Sequence, residues 1–264
     1  MTRVGIYGAA GRMGRRLVSL AAEQEDLTLG AAIEAPQHPS IGQDIGVVVG
    51  TGKIGVTLTS QLPAGVDVLI DFTSPAATRH ALAACRSAGV AMVIGTTGLT
   101  DADQQLIDAA AATIAVLQAP NMSLGVNLLL AVAGQVAATL GDDYDIEITE
   151  AHHRFKKDAP SGTAMAIAKA ICDATGKSID ADVVHGRHGD DVLRRPGQIG
   201  MHALRMGDVV GRHTASFATQ GEEIQLTHIA SNRDVFARGA LRAAKWLAGK
   251  PAGRYTMADV LPRK

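Results

Sequence analysis

Two cysteines in 264 residues are too few for a disulfide framework. Cys85 and Cys172 therefore fit a reducing cytoplasm, and they form no Cys-x-x-Cys pair that would hold zinc. No His-x-x-x-His spacing occurs, and adjacent imidazoles such as His152 and His153 chelate poorly, so no metal is expected. Charge of either sign is not in excess. The net charge of −1 offers no bulk attraction to nucleic acid or to an anionic membrane surface. Long apolar runs are also missing: the longest, Leu124 to Leu140, contains Asn127 and Gln135 and is shorter than a spanning helix usually needs. It reads as a buried helix of a soluble protein. The opening Met-Thr-Arg-Val-Gly enters a strand pattern without the apolar segment of a signal peptide, again predicting a cytoplasmic protein. There is no internal repeat and no low-complexity tract.

What is present is an ordinary globular composition, 47% hydrophobic and 19% charged, with length enough for one large domain or two modest ones. The first half alternates strands with helices. Val4–Tyr7, Thr28–Ile33, Val66–Asp71, Met92–Gly95 and Ile114–Leu117 read as strands. Met13–Gln24, a segment from about Pro75, and Asp101–Ala112 read as helices. Ser74 can cap the second of these, and proline fits its first turn. Such alternation predicts an α/β fold, a Rossmann-like doubly wound parallel sheet. After Leu124 the pattern changes. A helix to about Leu140, a strand Asp145–Ala151 and a helix after Ser161 precede short alternating runs between Gly200 and Ile229, broken at Gly207-Asp208 and Gln220-Gly221. These predict a smaller α+β domain with a mostly antiparallel sheet. Gly176–Pro196 reads as a long loop, and Val235–Leu247 as a last helix returning to the first domain. The expected division is 1–123 with 233–264 for a dinucleotide-binding domain, and 124–232 for a substrate and oligomerisation domain.

Gly8, Gly11 and Gly14 are spaced three apart between the first strand and the first helix, and Glu34 ends the second strand 20 residues after Gly14. This is a relative of the dinucleotide fingerprint. Glycine allows a tight turn and close backbone approach to a pyrophosphate, and an acid at the second strand's end can accept hydrogen bonds from ribose hydroxyls. A plain strand-to-helix turn uses glycine too, so the loop alone is a weak signal. Gly95-Thr96-Thr97-Gly98 follows another strand, where open sheets bind ligands, although it too could be a plain connection. A carboxylate at position 34 suits the free 2′-hydroxyl of NADH and repels the 2′-phosphate of NADPH. Ala35 offers no offsetting cation, whereas Arg12 or Arg15 could.

The segment Glu150-Ala-His-His-Arg-Phe-Lys-Lys-Asp-Ala-Pro-Ser-Gly-Thr-Ala164 places two imidazoles and several cations before a turn that opens an alanine-rich helix. A helix start binds carboxylate or phosphate through its N–H groups and dipole, and histidine is suited to proton transfer near neutral pH. On a regular strand His152 and His153 face opposite ways, so both reach one site only if the strand end is distorted. Taken alone, the pair could equally be core or surface histidines.

The same segment resembles the signature of the dihydrodipicolinate reductases. The resemblance extends through Gly8-Ala-Ala-Gly-Arg-Met-Gly14, Asp71-Phe-Thr73, Gly95-Thr-Thr-Gly98, Asn121-Met-Ser-x-Gly-Val-Asn127, Gly221-Glu222, Thr227-His228, Phe236-Ala-x-Gly-Ala240 and Trp246-Leu247, which is nearly the whole chain. It implies NADH- or NADPH-dependent reduction of a small cyclic dicarboxylate dianion, 4-hydroxy-tetrahydrodipicolinate, on the route to diaminopimelate and lysine. By that resemblance Gly8, Ala9, Ala10, Gly11, Arg12, Met13 and Glu34 hold the dinucleotide. Gly95, Thr96, Thr97, Ala119, Pro120, Asn121 and Met122 line its nicotinamide side. His152 is implied as proton donor and acceptor, Lys156 as proton donor, His153 as a substrate contact, and Gly162 and Thr163 as a carboxylate cradle. A homotetramer joined through the second domain's sheet is implied as well. Ala35 departs from the family, which often has arginine there in association with NADPH use, so NADH or dual use is expected.

Two other classes remain open on residues alone. A semialdehyde dehydrogenase of similar architecture would need an activated cysteine, but Cys85 and Cys172 both fall inside predicted helices. A nucleotide-binding sensor would need no proton donor, so the retained His152 and Lys156 argue against it.

Overall fold

The computed structural model describes residues 1–261. In chain order, the first run is β1 (Thr2–Tyr7), α1 (Arg12–Ala22), β2 (Leu27–Ile33), α2 (Ile45–Val49), β3 (Leu58–Thr59), β4 (Val68–Asp71), α3 (Pro75–Ala88), β5 (Ala91–Ile94), α4 (Asp101–Ala111) and β6 (Ala115–Gln118). A second run follows: α5 (Leu124–Leu140), a 3-10 turn Gly141–Asp143, β7 (Asp145–His152), α6 (Gly162–Thr175), α7 (Ile179–Asp182), β8 (Val183–His185), β9 (Ile199–Arg205), β10 (Gly211–Thr219) and β11 (Glu222–Ala230). The chain then ends its described course with α8 (Asp234–Leu247), β12 (Gly253–Tyr255) and α9 (Met257–Val260). It divides into two compact units, Met1–Ser123 with the described residues from Asp234 onward, and Leu124–Arg233.

The first unit is a seven-stranded sheet in the order β12-β6-β5-β4-β1-β2-β3, with every pairing parallel. Helices on both faces bury such a sheet completely, which is why Val68–Asp71 carries no alternation and is buried throughout. Sequence order reverses between β1 and β4, so the loops after these two strands open the crevice that binds ligands in doubly wound folds. Helix starts are set locally. Ser74 Oγ accepts from Ala77 N at 3.4 Å with Pro75 in the first turn, and Thr100 and Asp103 form a capping box. Helix α8 returns to the first unit and packs on β4, β5 and β6 beside α1. Gly239 is required there, since a Cβ would lie 1.8 Å from the Met122 carbonyl oxygen.

The second unit has a five-stranded sheet in the order β11-β10-β7-β9-β8. The antiparallel pairing expected from sequence holds for β10–β11 and β7–β10, but β7–β9 and β8–β9 are parallel, so the sheet is mixed. The cause is the crossover through α6 and α7, which returns the chain to the sheet in the same direction. Ile146, Ile148, Met201, Ala215 and Phe217 face α5 and α6 and form this unit's core with Leu129, Ala133, Ile167 and Ile171.

Three expectations are corrected. The Gly176–Pro196 stretch contains α7 and β8, so its long irregular part begins only after His185. The short elements α2, β3, β12 and α9 were not expected, being too brief to show periodicity. The apolar helix has the expected bounds, Leu124–Leu140, but is not wholly buried. With the 3-10 turn it forms a run, Leu124–Asp143, long and apolar enough to cross a membrane by length and composition. Only the stripe Val126, Leu129, Ala133, Gly134 and Ala137 is buried, with Gly134 allowing close approach to the Ala170 carbonyl of α6.

Candidate active site

In the first unit, the loop between β1 and α1 turns on Gly8, whose φ of 72° favours glycine. The N–H groups of Gly8 and Ala9 donate to the Ile33 carbonyl at 2.8 and 3.0 Å, which ties the loop to the end of β2. Gly14 lets α1 start tightly, because a Cβ there would lie 2.1 Å from the Gly8 oxygen. Glu34 accepts from Ala10 N at 3.1 Å and from Ala35 N at 3.0 Å, so its carboxylate is fixed against the glycine loop. Arg15 donates to the Ala10 and Val48 carbonyls at 2.8 and 2.9 Å. Its guanidinium is therefore committed to backbone, while Arg12 is exposed.

The loops after β4 and β5 meet on Asp71, which is fully buried. Its carboxylate accepts from Thr73 N at 3.0 Å and from the hydroxyls of Thr73, Thr78 and Thr96 at 2.6, 2.5 and 3.2 Å. Burial raises its pKa, and these four bonds oppose the rise without cancelling it. Gly95 is needed because a Cβ would lie 2.3 Å from the Phe72 ring. Thr96, Thr97 and Pro120 line one cavity of about 210 Å³ with Gly98, Leu99, Gln104 and Gln118. Ala119 N donates to the Ile94 carbonyl at 3.1 Å, and Asn121 Oδ1 accepts from Ser123 N at 2.9 Å. Of the predicted residues, Thr96, Thr97 and Pro120 thus share one cavity, and Ala10 is bonded to Glu34.

In the second unit, Glu150 and His152 lie on the helix-covered face at the end of β7, both buried. Glu150 accepts from His152 Nδ1 at 2.6 Å, from both terminal nitrogens of Arg205 at 2.9 Å, and from Ser161 N at 3.0 Å. Burial works to raise the Glu150 pKa, but the Arg205, His152 and Ser161 bonds outweigh it and hold the carboxyl below its ordinary range. Burial lowers the His152 pKa, against the pull of Glu150. His213 packs edge-on against His152 with 5.2 Å between ring centres, and its Nε2 is 3.0 Å from Ser161 Oγ. Burial pushes this second imidazole down to about 4, with the neighbouring His152 adding to the effect. Ser161 caps α6 by accepting from Ala164 N at 3.2 Å, and Gly162 and Thr163 are the first two helical residues.

His153 lies just past the strand, half-buried, and Lys156 Nζ is held by both Asp158 oxygens at 2.9 Å. The strand ends at His152, and His153 just beyond it lies 6.4 Å from the Phe155 ring, centre to centre, while the bonds of Glu150 go to His152, Arg205 and Ser161. Arg205 and His213 were not singled out from the sequence. They reach the site through sheet register, where His152 pairs with Arg205 and Glu150 with His213, and no local motif announces them. Neither thiol is activated. Both are buried, and burial pushes Cys85 up to about 12 and raises Cys172 as well.

Residues 2–122 match the family model for the N-terminus of dihydrodipicolinate reductase, and residues 125–261 match its C-terminus. A 4-hydroxy-tetrahydrodipicolinate reductase of Hahella chejuensis is 49% identical over 267 aligned residues, covering all of both chains. One of Alkalilimnicola ehrlichii is 49% identical, covering 98% of each. Among solved structures, the dipicolinate-bound dihydrodipicolinate reductase of Paenisporosarcina sp. TG-14 matches with a TM-score of 0.78 at 26% identity, covering 99% of this chain and 100% of that one. The chain belongs to the dihydrodipicolinate reductase family.

Proposed function

We propose that this chain reduces 4-hydroxy-tetrahydrodipicolinate to tetrahydrodipicolinate, in the route to diaminopimelate and lysine. A bound nicotinamide cofactor supplies the hydride that adds at C4, and the 4-hydroxyl leaves as water. The balance consumes one proton, so the protein's own task is to hold two carboxylates and to deliver that proton in alignment with the hydride.

In this reading the first unit binds the dinucleotide. Gly8, Ala9, Ala10, Gly11, Arg12 and Met13 receive the pyrophosphate and Glu34 the ribose. Gly95, Thr96, Thr97 and Ala119, Pro120, Asn121 and Met122 line the nicotinamide side. The second unit binds the substrate. Gly162 and Thr163 cradle one carboxylate at the start of α6, and His153 contacts the substrate. Lys156, released from Asp158, donates the proton, with His152 as donor and acceptor beside it. The observation that carries this is the buried His152–Glu150–Arg205 network set against the start of α6.

NADH serves at least as well as NADPH. The fixed Glu34 carboxylate opposes a 2′-phosphate, and of the two loop arginines Arg15 is bonded to carbonyls, which leaves Arg12 to offset it. The assembly is a homotetramer joined through the outer face of the five-stranded sheet, where Leu204 and Ile229 are exposed and Thr214 bonds Thr227.

The test is cofactor oxidation followed by nicotinamide absorbance, with substrate made in place from pyruvate and aspartate semialdehyde by the preceding synthase. Substrate-dependent oxidation is expected, at comparable or higher kcat/KM with NADH. Binding of NADH without oxidation would remove the reductase assignment, and a large NADPH preference would remove the role given to Glu34.

A further inference from the structure

Glu150 accepts four hydrogen bonds at the candidate site, yet it has been given no part in the proposed reduction. Its Oε2 accepts from His152 Nδ1 and from one Arg205 nitrogen. Its Oε1 accepts from the other Arg205 nitrogen and from Ser161 N. An ionised carboxylate only accepts hydrogen bonds, so the 2.6 Å contact requires the His152 proton to sit on Nδ1. Nε2 is then the nitrogen left to take and give a proton. The space beside it is kept open by Gly211, where a Cβ would come within 3.3 Å of Nε2.

Arg205 matters to the balance of charge. Facing an unneutralised carboxylate, a buried imidazole would be held as a fixed cation. With the guanidinium paired to both Glu150 oxygens, and donating also to the Asp158 carbonyl at 2.5 Å, the carboxylate orients the ring without fixing its charge. The ring is further gripped edge-on by His213, which reaches Ser161 Oγ. Ser161 is thus a joint: its N–H goes to Glu150, and its hydroxyl to the cap of α6 and to His213. Stability does not demand this arrangement, since apolar residues can replace a buried ion pair at little or no cost.

We propose that Glu150 is a positioning residue that holds the His152 proton on Nδ1 and sets the imidazole in register with the start of α6 through Ser161. This rests on His152 being the proton donor and acceptor of the proposed reduction.

The first measurement is 15N NMR of the ring nitrogens of His152 in the unmodified enzyme, titrated with pH and with dipicolinate as probe. The Nδ1–H form is expected in the neutral state, and a dominant Nε2–H form overturns the proposal without recourse to any variant. The second measurement is steady-state kinetics. Glu150→Gln presents an amide N–H where His152 and Arg205 both donate, so kcat is expected to fall at least about tenfold. Dipicolinate affinity should change by no more than about threefold, and the tautomer should shift toward Nε2–H. Glu150→Asp, which keeps the charge, should recover part of kcat. If His152→Ala lowers kcat and Glu150→Gln does not, Glu150 is structural and the proposal fails alone. If His152→Ala leaves kcat unchanged, the reading of His152 fails, and the role of Glu150 fails with it.

Discussion

Asp71 and Glu150 are wholly buried carboxylates, one in each unit, and their proton affinities move in opposite directions. Both have their oxygens filled. Asp71 is surrounded by three threonine hydroxyls and one N–H, whereas Glu150 has a guanidinium, an imidazole and one N–H. Neutral donors fix the direction of a carboxylate but do not fully replace the water it loses, so burial still favours the protonated acid at Asp71. A cation within bonding distance outweighs the same burial at Glu150. The difference suits the proposed duties. A loop that lines a nicotinamide needs shape, which hydroxyls supply, and a site that moves protons around a dianion needs fixed charge.

The largest expected effect tests the charge side of that contrast. Arg205→Ala would leave Glu150 buried without its guanidinium and should cost about 3–5 kcal/mol of unfolding free energy. Thr78→Val removes one hydroxyl from Asp71 and should cost about 1–2 kcal/mol. Urea unfolding at neutral pH measures both. Equal costs would mean that the guanidinium is no more important to Glu150 than a hydroxyl is to Asp71.

A second pair of variants separates charge from shape in catalysis. Lys156→Ala should lower kcat about 100-fold with modest change in KM, because a proton donor acts on the reacting state. Thr163→Ala should raise substrate KM about threefold to tenfold, by loss of a bond that substrate and transition state share. A KM effect alone for Lys156 would reassign it to binding the ground-state carboxylate. Unchanged KM for Thr163 would count against the cradle at the start of α6.

Much of this was legible in the sequence where the cause is local. The fully apolar strand at Val68–Ile70, the Ser74-Pro75 helix start and the Gly8 turn all depend on residues within a few positions of one another. The parallel order of the first sheet follows from alternation of strand and helix. Glu34 was found because its distance from the glycine loop is set by one βα unit. The Glu150 network was only half visible. Glu150, His152 and Ser161 lie in one motif, but Arg205 and His213 arrive on β9 and β10, more than 50 residues away in sequence. Which residues meet there depends on strand register, fixed by the whole unit's packing, and the mixed character of that sheet was hidden for the same reason. The placement of His153 was not legible either. This residue lies one position past the last paired position of β7, where register no longer sets the side a residue takes.

The smallest expected effect is the most specific to Asp71. Its folded-state pKa is raised, so its contribution to stability is fully present below the unfolded value, about 4, and is lost as pH rises through the folded value. Glu150 has the opposite sign: its contribution is present above the unfolded value and is lost as pH falls through the depressed folded one. Asp71→Asn can keep the Thr73 N–H bond on Oδ1 and donate from Nδ2 to the Thr78 and Thr96 hydroxyls, which accept as readily as they donate. The variant should therefore differ from the wild type by about 1 kcal/mol or less at pH 4. It should gain relative stability as pH rises toward neutrality, because it has no buried charge to create. Urea midpoints of the two proteins between pH 4 and 8 give the sign directly. A difference that stays flat would mean that the three hydroxyls and the N–H fully replace the water Asp71 loses, leaving it without the raised proton affinity that separates it from Glu150.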